Sequence, residues 1–255
     1  MSFRRVTVVS AFAVLVIYAG LIISLVYFLR GETLLAALAS ERTLSAVRLS
    51  FVAATLAATL ALLLAVPAAY ALSRFPFRGR EAVDTILEFP IIVSPAALGA
   101  VLLIFFNNPA GSWLQDHGVQ FVFAFPGIVL AQFVTILGVA VRLLKTAFDE
   151  IPLDYEAVAR TLGASPLHAF LTVALPLARG GLVAAFVLSW AKAMGEFGAT
   201  ITVAGTMPMK TETLPVAIFM RLASADIEGT VALILVLLAT GLGALCAVRW
   251  FTRNA

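Results

Sequence analysis

Long apolar runs alternate with short polar breaks along the chain, and the runs have the length that crosses a bilayer. A spanning helix needs about 20 mostly apolar residues. Six runs meet that requirement, at residues 6–28, 49–72, 85–106, 121–141, 181–204 and 230–251. The first is flanked by Arg4, Arg5 and Arg30, and it is long for a cleavable signal, so it reads as a retained helix. The second carries Pro67 near its end, and the third is interrupted by Pro90 and Pro95. The fifth contains Lys192 and Glu196, and the sixth is the cleanest. The pattern predicts an all-α, polytopic membrane protein of about six transmembrane helices, with residues 1–255 forming one membrane domain.

Composition sharpens this picture. Of 255 residues, 62% are hydrophobic and only 12% charged. A soluble domain carries about 25% charged residues, and half that cannot clothe a water-facing surface. A soluble globular enzyme, a disordered chain and a nucleic-acid binder built on a basic face are thereby excluded. The net charge of +3 is a mild excess, and its placement says more than its size. With the N-terminus inside, the inner segments hold eleven Lys and Arg and the outer segments five. That bias places both termini in the cytoplasm. The single cysteine, Cys246, lies in an apolar run and reads as a small buried hydrophobe.

The inner segment at about 142–180 is too long for a simple connection, and long connections are often functional. It reads as two short helices. Asp154 is placed to cap the first, with Glu156 in its first turn, and Gly163 to end it. Ser165 followed by Pro166 restarts the chain, and Pro176 breaks the second helix before re-entry into the membrane. Ala157, Val158, Ala159, Leu162, Ala164 and Phe170 are many apolar groups for such a loop. Two readings are open: a docking surface, or packing on the ends of the spanning helices.

The stretch from Glu156 to Gly163, then nine residues, then Val173-Ala-Leu-Pro176, resembles the EAA loop of ABC-importer permeases. That signature is Glu-Ala-Ala, three residues, Gly, nine residues, Ile-x-Leu-Pro. Counted back from Gly163, its Glu falls on Ala157, its alanines on Val158 and Ala159, and Glu156 stands one place early. The likeness runs from about Leu44 to the C-terminus. Gly195-Glu-Phe-Gly-Ala-Thr200 and Lys210-Thr-Glu-Thr-Leu-Pro215 are similar to the molybdate type, with sulfate permeases sharing a related Glu-Phe-Gly segment. The resemblance implies the type I importer fold and a homodimer. It also implies a separate cytoplasmic ATPase dimer and an extracytoplasmic solute-binding protein as partners. The substrate it implies is a tetrahedral oxyanion, molybdate with tungstate, or alternatively sulfate or thiosulfate. The segment containing Glu156, Gly163 and Pro176 would be its ATPase-coupling helix. The chain has no Gly-x4-Gly-Lys-Ser/Thr phosphate loop, so ATP hydrolysis falls to the partner.

Charges and breakers inside the membrane supply candidates for a pathway. Lys192 and Glu196 stand four apart, on one face of a continuous helix. They are either a self-neutralising pair or, for Glu196, part of a gate with Gly198. Pro90, Ser94 and Pro95 mark either a packing kink or a pore constriction. Glu88, near the inner end of the third span, could meet an inner-loop arginine, but the spacing alone does not select that pairing. His117 and His168 fall on opposite sides, and no Cys/His spacing suits a metal or a cofactor. A membrane-embedded enzyme would need a nucleophile with a base, or clustered carboxylates, and neither is visible. A carrier coupled to an ion gradient would explain the broken third span but not the capped, apolar inner loop.

Overall fold

The computed structural model describes residues 3–28 and 36–253. Arg30, flanking the first run, lies outside them. Every regular element along the described residues is helical. Helix α1 is Phe3–Val26, α2 Glu41–Arg74, α3 Arg80–Ile86, α4 Phe89–Ile92, α5 Pro95–Phe106, α6 Pro109–His117 and α7 Phe125–Asp149. Helix α8 is Leu153–Thr161, α9 Pro166–Leu177, α10 Arg179–Met194, α11 Gly198–Ala204, α12 Leu214–Ala223 and α13 Ile227–Arg253. Among the described residues four helices are long and apolar enough to span a membrane, and six spans result if each of two bent pairs counts as one. The bent pairs are α5 with α6, at 78°, and α9 with α10, at 70°.

The bundle is organised around α2 and α7. Helix α2 buries a stripe of Ala46, Ala53, Ala57, Ala61, Ala65 and Ala69, spaced four or seven apart along one face. Lipid tails are as apolar as leucine, so membrane helices gain little by burying bulk against one another. Small residues instead let the backbones approach and gain dispersion contact. Helix α7 fills the other side with Ile128, Ile136, Leu144 and Phe148, each fully buried, and α10 closes against both. Pro67 sits inside α2 without ending it, so the second span is a continuous 34-residue helix. Helix α1 differs: none of its 23-residue spanning window is buried against this chain. Cys246 is exposed on α13, which corrects the expectation that it is a buried hydrophobe.

The third run is not one helix. Pro90 and Pro95 each lie in the first turn of a separate short helix, where a missing N–H costs nothing. Ser94 caps the second of these, its hydroxyl accepting from the Ala97 N–H at 3.3 Å. The fifth run is likewise two helices, because α10 ends at Met194 and α11 begins at Gly198. Glu88, just ahead of α4, pairs with Arg142 on α7 at 2.9 Å. A Cβ at Gly138 would overlap the Leu87 carbonyl oxygen, which is backbone and has nowhere to go. Gly138→Ala should therefore cost about 1–3 kcal/mol by overpacking. A lowered thermal midpoint of the detergent-purified protein would show it, and an unchanged midpoint would deny the close approach of this connection to α7.

Candidate functional site

The 153–177 segment forms one compact unit at the end of α2 and α7. Helix α8 starts at Leu153 after Pro152, so Asp154 stands in the first turn and does not cap it, contrary to the sequence expectation. Its end does follow expectation. Gly163 has φ +95°, its N–H reaches the Arg160 carbonyl, and the Ala164 N–H reaches the Ala159 carbonyl, both at 3.1 Å. That pair of bonds is a Schellman closure, which needs a left-handed residue at this position. Ser165 then caps α9 by accepting from the His168 N–H at 3.2 Å. Pro176 does not itself break α9. A π turn at Phe170–Ala174 absorbs it, with the Leu175 N–H bonded back to the Phe170 carbonyl. The chain bends one residue after Leu177, at Ala178.

The apolar residues of this unit divide between the two open readings. Phe170 turns inward, its ring 4.5 Å from Tyr70, and packs with the buried Phe148. Ala159 and Ala164 are half-buried. Val158, Leu162 and Leu167 point outward at 57%, 84% and 66% exposure, and Ala157 is exposed beside them. Gly163 is also exposed, and a Cβ there would meet nothing within 4 Å of this chain. The outer face is thus small at its centre and apolar around it.

Glu156 takes neither the solvent nor the outer face. It is buried, and its carboxylate accepts from Tyr70 Oη at 2.5 Å and from Arg74 Nε at 2.8 Å. Arg74 also donates to the Ile151 carbonyl at 3.0 Å. Its position one residue ahead of Ala157 explains the difference, since one residue turns a helix by about 100°. Ser73 adds a bond to Asp149 at 2.5 Å, and Lys145 reaches the same carboxylate at 3.2 Å. Tyr70 and Arg74 were not among the residues that pattern pointed to.

The pore candidates split in the same way. Helices α5 and α11 meet backbone to backbone. A Cβ on Gly198 would lie 2.8 Å from the Ala96 nitrogen and 3.0 Å from the Pro95 Cβ, and one on Gly99 would lie 2.9 Å from the Ala199 Cα. Pro95 and Gly198 are therefore brought together, and Glu196 sits two residues before Gly198, buried, accepting from the Ala199 N–H at 2.9 Å. Ser94 is exposed beside this junction, and Pro90 is half-buried in the preceding helix. Lys192 and Glu196 do not share a helix face, because α10 ends between them, and among the described residues no salt bridge joins them. Lys192→Leu should accordingly cost well under 1 kcal/mol, whereas Glu196→Ala removes a cap and should cost about 1 kcal/mol. Equal loss of thermal stability in the two variants would restore the pairing. Among the described residues no group of three or more His, Cys, Asp or Glu is placed to hold a metal.

Comparison with known proteins gives this arrangement a family. The profile described as "binding-protein-dependent transport system inner membrane component" matches residues 61–255. The chain belongs to that family. Within the family it is similar to the probable molybdenum ABC transporter permease protein of Haloferax volcanii, at 35% identity over 99% of this chain and 92% of the relative. It is also similar to the molybdenum transport system permease protein of Escherichia coli K12, at 32% identity over 82% of this chain and 93% of the relative. The fold is that of a type I ABC-importer permease. A bacterial alginate ABC transporter, crystallised in complex with its alginate pentasaccharide-bound periplasmic protein, matches with a TM-score of 0.77 at 16% identity, covering 98% of this chain and 96% of its own. Members of this family are inner-membrane components of transport systems, and the chain is a multi-pass transport permease.

Proposed function

We propose that this chain is the membrane half of an ATP-driven importer of molybdate, with tungstate carried by the same chemistry because the two dianions match in size and charge. The observation that carries the substrate is the similarity to two molybdenum permeases across nearly the whole chain. Two copies form the pore, both termini face the cytoplasm as the Lys and Arg bias requires, and an extracytoplasmic binding protein supplies the anion. The exposed face around Gly163, bounded by Ala157, Val158 and Leu162, receives a cytoplasmic ATPase dimer. Its small centre supports this, because a partner backbone can reach it without displacing a side chain. Closure of the ATPases draws the two 153–163 segments together and opens the pore outward, and hydrolysis resets it. This is a rigid-body alternation between two states. The junction of Pro95, Glu196 and Gly198, with Ser94 exposed beside it, is the constriction. A carboxylate repels a dianion, so Glu196 holds α11 in shape and does not bind the cargo.

The test is affinity purification of the tagged chain from native membranes. The expected result is a co-purifying cytoplasmic ATPase, together with a co-encoded binding protein that takes up molybdate and tungstate ahead of sulfate on titration. A binding protein that prefers sulfate would move the assignment to sulfate transport. A chain that purified without an ATPase would overturn the reading.

A further inference from the structure

The Lys210-Thr-Glu-Thr-Leu-Pro215 stretch has no role in the account above, yet it is among the most tightly held parts of the molecule. Thr211, Glu212 and Thr213 are all buried. Arg42, at the start of α2, clamps Glu212 with two nitrogens, Nε to Oε2 at 2.7 Å and Nη2 to Oε1 at 2.6 Å. The carboxylate is 1% exposed and the guanidinium half-exposed. This two-pronged geometry fixes direction as well as distance. Two further ties run beside it. The Leu214 N–H donates to Ser50 Oγ at 2.7 Å, and Arg221 donates to Thr43 Oγ1 at 3.3 Å. All three come from the first ten residues of α2.

The last residues of the same helix hold the 153–163 segment, through Tyr70 and Arg74 on Glu156 and Arg74 on the Ile151 carbonyl. Both sets of ties lie on one unbroken helix of 34 residues, about 51 Å at 1.5 Å per residue. Its buried face between the ties is alanine, so α7 packs closely along it, and Thr55 in its middle accepts from Trp190 Nε1 on α10 at 3.1 Å. A helix so long and unbroken, fastened by charge-assisted bonds at both ends and packed along its middle on α7 and α10, moves with them as one body and transfers a displacement at one end to the other.

We infer that α2 is a push-rod linking the 153–163 segment to the loop before α12, and that Arg42 and Glu212 form its far coupling. They are positioning residues, acting through the loop at 205–213. The inference rests on the reading that an ATPase drives the 153–163 segment. It adds that the drive reaches the opposite side of the membrane along one helix.

The test uses the complete transporter, this chain with its ATPase and binding protein, in proteoliposomes supplied with molybdate. The double variant Arg42→Gln with Glu212→Gln removes both charges and strands neither. Expected are normal co-purification of the ATPase, basal hydrolysis within twofold of the parent, and at least a tenfold loss of uptake, with Arg42→Lys recovering part of it. Uptake within twofold of the parent in the double variant would overturn the inference. Hydrogen exchange on the unmodified complex tests it where the variant fails to assemble. Addition of ATP should change exchange at 153–163 and 207–214 together, and a change at 153–163 alone would overturn the inference. A parent chain that bound no ATPase would instead strike at the functional reading, so the two failures are distinguishable.

Discussion

Gly163→Asp should abolish association with the ATPase, and with it uptake, while leaving insertion and assembly of the membrane domain intact. The fold tolerates the change because a Cβ at this position meets nothing within 4 Å. The left-handed backbone at φ +95° adds strain of about 1 kcal/mol, less for Asp than for most residues. The partner does not tolerate it. Val158, Leu162 and Leu167 are exposed around Gly163, with Arg160 and His168 also exposed in the segment, and a carboxylate in the small centre holds the partner backbone off and must be desolvated on docking, at a cost of several kcal/mol. Loss of about 3 kcal/mol of binding is more than a hundredfold in affinity. Co-purification from membranes, with the thermal midpoint of the variant as control, reads both halves. A variant that bound its ATPase like the parent would show that docking lies elsewhere.

Glu156→Leu should have the largest effect on stability. Arg74 is 6% exposed in its side chain, and Glu156 is its only carboxylate partner among the described residues. Removing that partner leaves a buried guanidinium with the Ile151 carbonyl and the Ser73 hydroxyl, and breaking a buried pair in this way costs about 3–5 kcal/mol. Glu156→Gln keeps an acceptor for Arg74 and should lose less. Replacing Arg74 and Glu156 together by leucine should lose less than the two single changes summed, because neither charge is then stranded. Thermal unfolding of the four purified proteins gives the answer. Additive losses would mean that the two residues do not depend on each other.

How far the sequence could be read follows from the range of each interaction. The long helices were legible because length and hydropathy alone decide whether a run can span. The helix starts at Ser94-Pro95 and Ser165-Pro166 use the same local chemistry, a capping hydroxyl and a proline in the first turn. The second was read as a start and the first as an interruption, because the surrounding apolar run hid it. Lys192 and Glu196 illustrate the converse. Their spacing makes a pair only if the helix continues, and Gly195 ends it. The one-residue offset of Glu156 turns it off the outer face, but the partners that receive it, Tyr70 and Arg74, lie 86 and 82 residues away. The Arg42–Glu212 clamp spans 170 residues and was equally invisible, although the motif containing Glu212 was in view. In the EAA-like segment the helix end at Gly163 was readable, since a left-handed closure is a local demand on that residue, whereas the Asp154 cap expected at the helix start was not found.

The central claim is that ATP hydrolysed by another subunit moves an oxyanion through this chain. It is tested most directly by uptake of labelled molybdate into proteoliposomes in which this chain, its ATPase, its binding protein and ATP are each left out in turn. The account predicts uptake only when all four are present. Uptake by this chain alone, driven by an ion gradient without the ATPase, would contradict it.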